Sequence, residues 1–138
     1  MNNITKTKVL ALDFGIKRTG LAISDEMKMM AFGLKTVDSR LLMEDLKQLI
    51  PKENIDTLVV GEPKFTDGKP MQLEKNILFF IEDVQKLFPA LKIIRIDERF
   101  TSKMAFQAMI DSGLKKKKRQ NKGLVDEISA TILLQNYL

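Results

Sequence analysis

Two apolar runs separated by a short glycine-bearing turn dominate the beginning of the chain. The first run, residues 9–12, leads directly into Asp13, and the second run, residues 21–23, follows Gly20. An apolar run without alternation is typical of a strand that is buried on both faces. Gly15 and Gly20 allow the backbone to turn and return, so we expect the two runs to pair as a hairpin. Asp13 then ends a buried strand, although an aspartate that merely starts a turn fits the same pattern.

Strands and helices alternate along the rest of the chain. The patterns predict a weakly marked strand over residues 29–37, strands over 55–60 and 91–96, and helices over 41–52, 71–88, 101–111 and 124–138. Asp38 or Ser39 is expected to cap the first of these helices, and Pro51 to end it. Since 138 residues suffice for one core, we expect a single α/β domain over residues 1–138. Its mixed sheet should contain parallel strands and the N-terminal hairpin, with helices on both faces.

The composition limits the kinds of catalytic and metal site that are possible, because the chain contains neither histidine nor cysteine. Disulfides, thiolate zinc sites, cysteine nucleophiles and the usual general base are therefore excluded. An enzyme built from this sequence must use carboxylates, lysines, hydroxyls or a bound cation. The 23 Lys and Arg residues exceed the 18 Asp and Glu residues by five, which suits a polyanionic partner. The sequence has no run of membrane-span length and no secretory signal pattern, so we expect a cytoplasmic protein without a membrane partner.

Three acidic residues are the candidates for a metal site. Asp13 ends the first strand and Glu98 follows the last one, so both lie where the carboxyl ends of parallel strands meet. Asp126 shares a helical face with the apolar Ala130 and Leu133, and we expect it to point at the sheet. It could instead only complement the dipole of its helix. Three convergent carboxylates need a cation, and Mg²⁺ or Mn²⁺ prefers such oxygen ligands.

Basic residues accompany these acids along the chain. The candidates for contacts with nucleic acid are Lys17, Arg18, Arg99, Lys115, Lys116, Lys117, Lys118, Arg119 and Lys122. The block at 115–122 either clamps phosphates or is a solvated loop that serves solubility. Arg99 could equally pair with Asp97. Phe14 and Phe100 fit core packing better than base stacking.

Four short motifs extend this picture over nearly the whole chain. They are LDFG at residues 12–15 with TGLA at 19–22, VVGEP at 59–63, DERFTS at 97–102 and KGLVD at 122–126. In this order they resemble the YqgF family. The resemblance implies a ribonuclease H-like fold, similarity to Holliday junction resolvases, and a nuclease that matures the 5′ end of precursor 16S rRNA. The acidic triad of the family falls on Asp13, Glu98 and Asp126. Glu62 stands where the family often has leucine, and we expect it to face solvent rather than to add a fourth carboxylate.

Together these observations favour a metal-dependent nuclease that acts on RNA, with water as the nucleophile and Asp13 bridging the cations. A Holliday junction resolvase acting on DNA belongs to the same reaction class and is the alternative. A phosphotransferase is disfavoured, because the chain lacks the His-Arg-Asp loop of protein kinases and the second lobe of actin-like ATPases. A non-catalytic nucleic-acid-binding factor in transcription or ribosome assembly is the third hypothesis. The sequence does not determine the oligomeric state.

Overall fold

A five-stranded mixed sheet forms the centre of the protein in the computed structural model, which describes residues 6–65, 67–69, 71–99 and 122–138. The strands are β1 (Lys8–Phe14), β2 (Arg18–Ser24), β3 (Ala31–Asp38), β4 (Ile55–Glu62) and β5 (Lys92–Asp97). Their order in the sheet is β3-β2-β1-β4-β5. The strands β1, β2 and β3 pair antiparallel in sequence, whereas β4 is parallel to both β1 and β5. The expected hairpin and mixed sheet are thus confirmed.

Helices cover both faces of this sheet, as expected. They are α1 (Leu42–Lys52), which follows a short 3₁₀ helix (Ser39–Leu41), α2 (Leu73–Leu87) and α3 (Lys122–Tyr137). On one face, side chains such as Leu10, Leu12 and Leu58 pack in one core with the buried residues of α1 and α2. On the other face, Val9, Ala11, Ala22 and Val59 pack against Ala130 and Leu134 of α3. Successive residues of a strand point to opposite faces, so the odd-numbered residues of β1 face α3.

Some element boundaries differ from the predicted ones for local reasons. The strand β4 continues through Gly61 and Glu62 because both pair in register with β5. Pro51 lies inside α1 rather than ending it, since the Glu53 N–H still donates to the Leu49 carbonyl at 2.9 Å. Pro51 lies in the last turn, where its missing N–H and its ring affect only the end of the helix, and α1 reaches Lys52.

Asp38 and Ser39 form different hydrogen bonds at the start of α1. The Asp38 side chain accepts from the Arg40 N–H and caps the 3₁₀ helix. The Ser39 hydroxyl donates to the Gly15 carbonyl, and the Ser39 N–H donates to the Lys17 carbonyl at 3.0 Å. The start of this helical segment is thereby tied to the turn that follows Asp13.

Several expectations lie outside the described residues. They are the helix over 101–111, Phe100, the basic residues Lys115, Lys116, Lys117, Lys118 and Arg119, and the side chain of Lys122. They stay predictions, as does the single domain over residues 1–138. In the part of the chain that is described, no helix is both long and apolar enough to cross a membrane.

Candidate active site

Asp13 and Glu98 face the same side of the sheet. Asp13 continues the alternation of β1 two residues after Ala11, which packs against α3. Glu98 follows Ile96 of β5 in the same way, and Ile96 packs against that same cluster. Both carboxyl groups therefore lie at the carboxyl ends of parallel strands, on the face covered by α3.

Gly61 makes room between these two acids. The strand β4 separates β1 from β5, and Gly61 faces α3 like its neighbour Val59. A β-carbon at position 61 would overlap the Glu98 carboxylate and would also approach Leu133 of α3 to 3.0 Å. The glycine thus leaves the space into which Glu98 extends.

The carboxyl groups of Asp13 and Glu98 lie within hydrogen-bonding reach of each other. Two carboxyl groups can form such a bond only when one of them carries a proton. Burial raises the pKa of Asp13 well above its usual range, and the negative charges of Glu98 and Asp126 raise it further. Burial also raises the pKa of Glu98, although the hydrogen bond from Asp13 and the positive charge of Arg95 act in the opposite direction. The pair therefore retains a proton to a higher pH than free carboxyl groups do.

Asp126 is held beside this pair by the close approach of α3 to β2. Gly20 of β2 lies directly opposite Asp13 in the hairpin. A β-carbon on Gly20 would overlap the main-chain carbonyl of Asp126. On the same helix, Ala130 and Leu133 are fully buried, as expected for the face that carries Asp126. Gly20 therefore determines how near the third acid lies to the first.

Arg18 contacts Asp126 directly. The Arg18 Nε donates to Asp126 Oδ2 at 3.1 Å, across 108 positions of sequence. Arg18 lies two residues before Gly20 on β2 and so faces α3 as well. The sequence predicts Arg18 as a contact for nucleic acid, which stays a prediction, and the structure adds an acidic partner within the site.

The other predicted residues lie around this group or outside the described residues. Arg99 pairs with Asp97 at 2.7 Å, which is the alternative that the sequence left open. Glu62 is half-buried rather than facing solvent freely, and it pairs with Lys64 at 2.9 Å. Lys17 is exposed in the turn after Asp13. The ring of Phe14 packs against Phe80 with centroids 5.4 Å apart, in keeping with core packing.

A half-buried ion pair that the sequence did not predict lies behind the site. Arg95 of β5 donates to both oxygens of Glu74, at 2.6 and 3.0 Å. Its guanidinium also donates to the main-chain carbonyls of Val60 and Gly61, at 3.2 and 3.1 Å. These bonds connect β4, β5 and the first turn of α2 beneath Glu98. A lone arginine between Ile94 and Ile96 could have indicated such a partner, because a buried charge is almost always paired.

The donors at this site fit a hard divalent cation. Carboxylate oxygens are the ligands that Mg²⁺ and Mn²⁺ prefer, and the raised pKa values of Asp13 and Glu98 reflect the cost of negative charge that a cation would offset. Among the described residues, no three acidic side chains are close enough in their present positions to hold one ion together. The donor types therefore fit, while bringing three of these acids onto one ion needs a side-chain movement.

Comparison with known proteins relates the chain to nucleases and resolvases. The family described as RuvX, Holliday junction resolvase, matches residues 7–138. A protein of Flavobacterium johnsoniae named "Putative pre-16S rRNA nuclease" is 52% identical over 131 residues, which are 95% of each chain. Its namesake in Flavobacterium psychrophilum is 54% identical over 131 residues, 95% of this chain and 96% of the relative. A Bacteroides fragilis protein of the same name is 43% identical over 132 residues, 96% of each chain.

Solved structures give the same fold. Thermus thermophilus RuvC in complex with a Holliday junction substrate superposes with a TM-score of 0.56 at 15% identity, covering 92% of this chain and 91% of that one. A second Thermus thermophilus RuvC structure gives a TM-score of 0.52 at 16% identity, with 92% of each chain covered. At this identity the likeness concerns the fold alone, and it confirms the expected ribonuclease H-like α/β architecture.

Proposed function

The chain belongs to the RuvX family of Holliday junction resolvases, in agreement with its resemblance to YqgF proteins. From this premise we propose that it is a metal-dependent endonuclease. We propose precursor 16S rRNA as its substrate, because the curated relatives carry that substrate in their names. A four-way DNA junction is the second candidate, favoured by the description of the family. The observation that supports the proposal best is the carboxyl pair Asp13–Glu98, with the charge of Asp126 acting on Asp13.

The proposed ligands of Mg²⁺ or Mn²⁺ are Asp13, Glu98 and Asp126. When bound, such an ion supplies an activated water and offsets the charge that develops on a phosphodiester. Because the pKa values of Asp13 and Glu98 are both raised, the metal-free pair keeps a proton to a higher pH than free carboxyl groups do. That proton must leave before both side chains can act as ligands, so metal binding should release protons.

The basic residues are proposed to hold the phosphate backbone. Lys17 is exposed and Arg18 is half-buried, and both follow Asp13 within the hairpin. The candidates Lys115, Lys116, Lys117, Lys118, Arg119 and Lys122 precede Asp126 in sequence. Positive charge close to an acidic site would bring a polyanion to carboxylates that otherwise repel it. A precursor rRNA substrate would place this activity in the cytoplasm.

A direct comparison of substrates tests the proposal. The full chain is incubated with a 5′-labelled precursor 16S rRNA fragment or a four-way DNA junction, in the presence of Mg²⁺, Mn²⁺ or a chelator. We expect cleavage of the RNA that depends on the ion. Asp13→Asn, Glu98→Gln and Asp126→Asn should each reduce its rate by about 100-fold or more. Asp83→Asn, which changes an exposed acid of α2, is the matched control and should cleave normally.

Other outcomes distinguish the alternatives. Cleavage of the junction but not of the RNA would favour the resolvase function. Binding of nucleic acid without ion-dependent cleavage would favour a non-catalytic factor. Undiminished cleavage by Asp13→Asn would contradict the whole assignment.

A further inference from the structure

Arg18 forms an ion pair with Asp126, the acid that the proposed metal site needs as its third ligand. The Arg18 Nε lies 3.1 Å from Asp126 Oδ2. The Asp126 side chain is 25% exposed and the Arg18 side chain is 41% exposed. The aspartate is therefore mostly enclosed, whereas the guanidinium lies at the border of the site and can move outward into solvent.

The main chain limits which of the two partners can move. Gly20 brings the α3 backbone at Asp126 against β2, so the position of this aspartate along the sheet is fixed by packing. Arg18 lies at the first position of β2, beyond the last pairing of β1 with β2 at Phe14 and Thr19. Its long side chain can swing while the strand stays in place.

We propose that Arg18 is a positioning residue that competes with the divalent cation for Asp126. Without the ion, its guanidinium neutralises and orients the Asp126 carboxylate. When the ion binds, Asp126 exchanges the guanidinium for the ion, and Arg18 is released at the edge of the site. A planar guanidinium suits a phosphate group, so the released side chain is then available to the scissile strand. This inference rests on the proposed function, because it assumes that Asp126 is a metal ligand.

The competition predicts that removing the positive charge strengthens metal binding. Binding of Mn²⁺ is measured by calorimetry on the full chain without nucleic acid, so that no catalytic activity enters the result. A partly exposed ion pair changes an equilibrium constant by up to roughly fivefold. Arg18→Gln should therefore bind Mn²⁺ about threefold to fivefold more tightly than the parent protein. Arg18→Lys keeps the charge and should bind Mn²⁺ nearly as the parent does.

The matched control is Arg40→Gln, which removes the same charge from an exposed pair with Asp38 and should leave Mn²⁺ binding unchanged. A second measurement uses the parent protein, so that it does not depend on how Arg18→Gln folds. The NMR signal of the Arg18 Nε–H group should shift when Mg²⁺ is added, whereas that of Arg40 should stay.

The outcomes separate this inference from the proposed function. Mn²⁺ binding that Asp13→Asn abolishes, with no gain in affinity in Arg18→Gln or no shift of the Arg18 signal, would overturn the competition and leave the metal site standing. Absence of Mn²⁺ binding, or binding that survives Asp13→Asn, would overturn both.

Discussion

The carboxylate of Glu98 lies over Gly61, in space that a β-carbon would fill. Gly61 belongs to β4, the strand that lies between those leading to Asp13 and Glu98. A side chain at this position would stand between the two acids. The absence of a side chain on the intervening strand is therefore what allows acids from two non-neighbouring strands to approach each other.

Replacing Gly61 by alanine should separate the acids at modest cost to the fold. The added methyl group meets the movable end of Glu98 and approaches Leu133, so we expect unfolding to become easier by about 1–2 kcal/mol. Metal-dependent nuclease activity should fall by about 10-fold to 100-fold, because the ligands lose their relative position. Urea denaturation and initial cleavage rates measure the two effects. Gly33→Ala meets only the side chain of Glu127, and equal activity in the two variants would contradict this account.

Replacing Gly20 by alanine should affect stability much more. Here the added methyl group would overlap the main chain of α3 at Asp126, and main-chain atoms move only if the helix shifts. We expect a loss of about 3 kcal/mol or more in the free energy of unfolding. Chemical denaturation of Gly20→Ala and Gly33→Ala under identical conditions measures the difference. A Gly20→Ala protein as stable as Gly33→Ala would show that α3 is not anchored on β2 at this point.

At neutral pH, the metal-free Asp13→Asn protein should be more stable than the parent protein. Because the folded pKa of Asp13 lies above its unfolded value, the folded state binds the extra proton, and the stability of the parent protein decreases with rising pH in that range. The amide of asparagine is neutral and can still donate to Glu98. The melting temperature of Asp13→Asn should therefore exceed that of the parent at neutral pH, and the difference should shrink toward about pH 4.

Asp38→Asn is the control of opposite sign for this experiment. Its hydrogen bonds with Arg40 lower the pKa of Asp38 to about 2, so the ionised side chain contributes stability above the unfolded pKa of about 4. This contribution is lost as the pH falls through the folded value. Asp38→Asn should thus be less stable than the parent at neutral pH. A melting temperature of Asp13→Asn that follows the parent at every pH would contradict a raised pKa of Asp13 in the folded protein.

Breaking the ion pair between Arg95 and Glu74 should destabilise the protein strongly. The two side chains are only 20% and 15% exposed, so Arg95→Met leaves a mostly enclosed carboxylate and two strand carbonyls without their donor. We expect a loss of about 3 kcal/mol in the free energy of unfolding, with partial recovery in the double variant Arg95→Met/Glu74→Leu. Lys47→Met breaks a far more exposed pair with Glu44 and should cost less than about 0.5 kcal/mol. Equal losses in the two single variants would show that the buried pair has no special role.

The affinity for RNA should fall as salt rises, and the lysines at positions 115–118 should account for part of this dependence. Replacing Lys115, Lys116, Lys117 and Lys118 by glutamine should reduce the slope of log affinity against log salt by about 2 to 3 units, since each phosphate contact on a single strand contributes about 0.7. Fluorescence anisotropy with an RNA fragment at several salt concentrations measures this slope. The control replaces the exposed lysines 47, 52, 86 and 92, which changes the charge equally. Equal slopes in the two quadruple variants would show that the block is only a solvated segment.

The sequence by itself determined the hairpin, the alternation of strands and helices, and the residues that carry carboxylates to the edge of the sheet. Periodicity encodes which face of an element is buried, so the orientation of Asp126 followed from Ala130 and Leu133. The alternation through Ile94, Ile96 and Glu98 carries the same information for the last strand. The four motifs added the fold family, since their order is specific where each motif alone is not.

Only the tertiary structure decided which of these residues meet. The sheet order places β4 between β1 and β5, and this arrangement gives Gly61 its role. Arg18 and Asp126 are 108 positions apart, and nothing local to either residue favours their pairing over contacts with solvent or substrate. Contacts of this kind depend on how complete elements pack against each other, because periodicity determines the face of an element but not its neighbour.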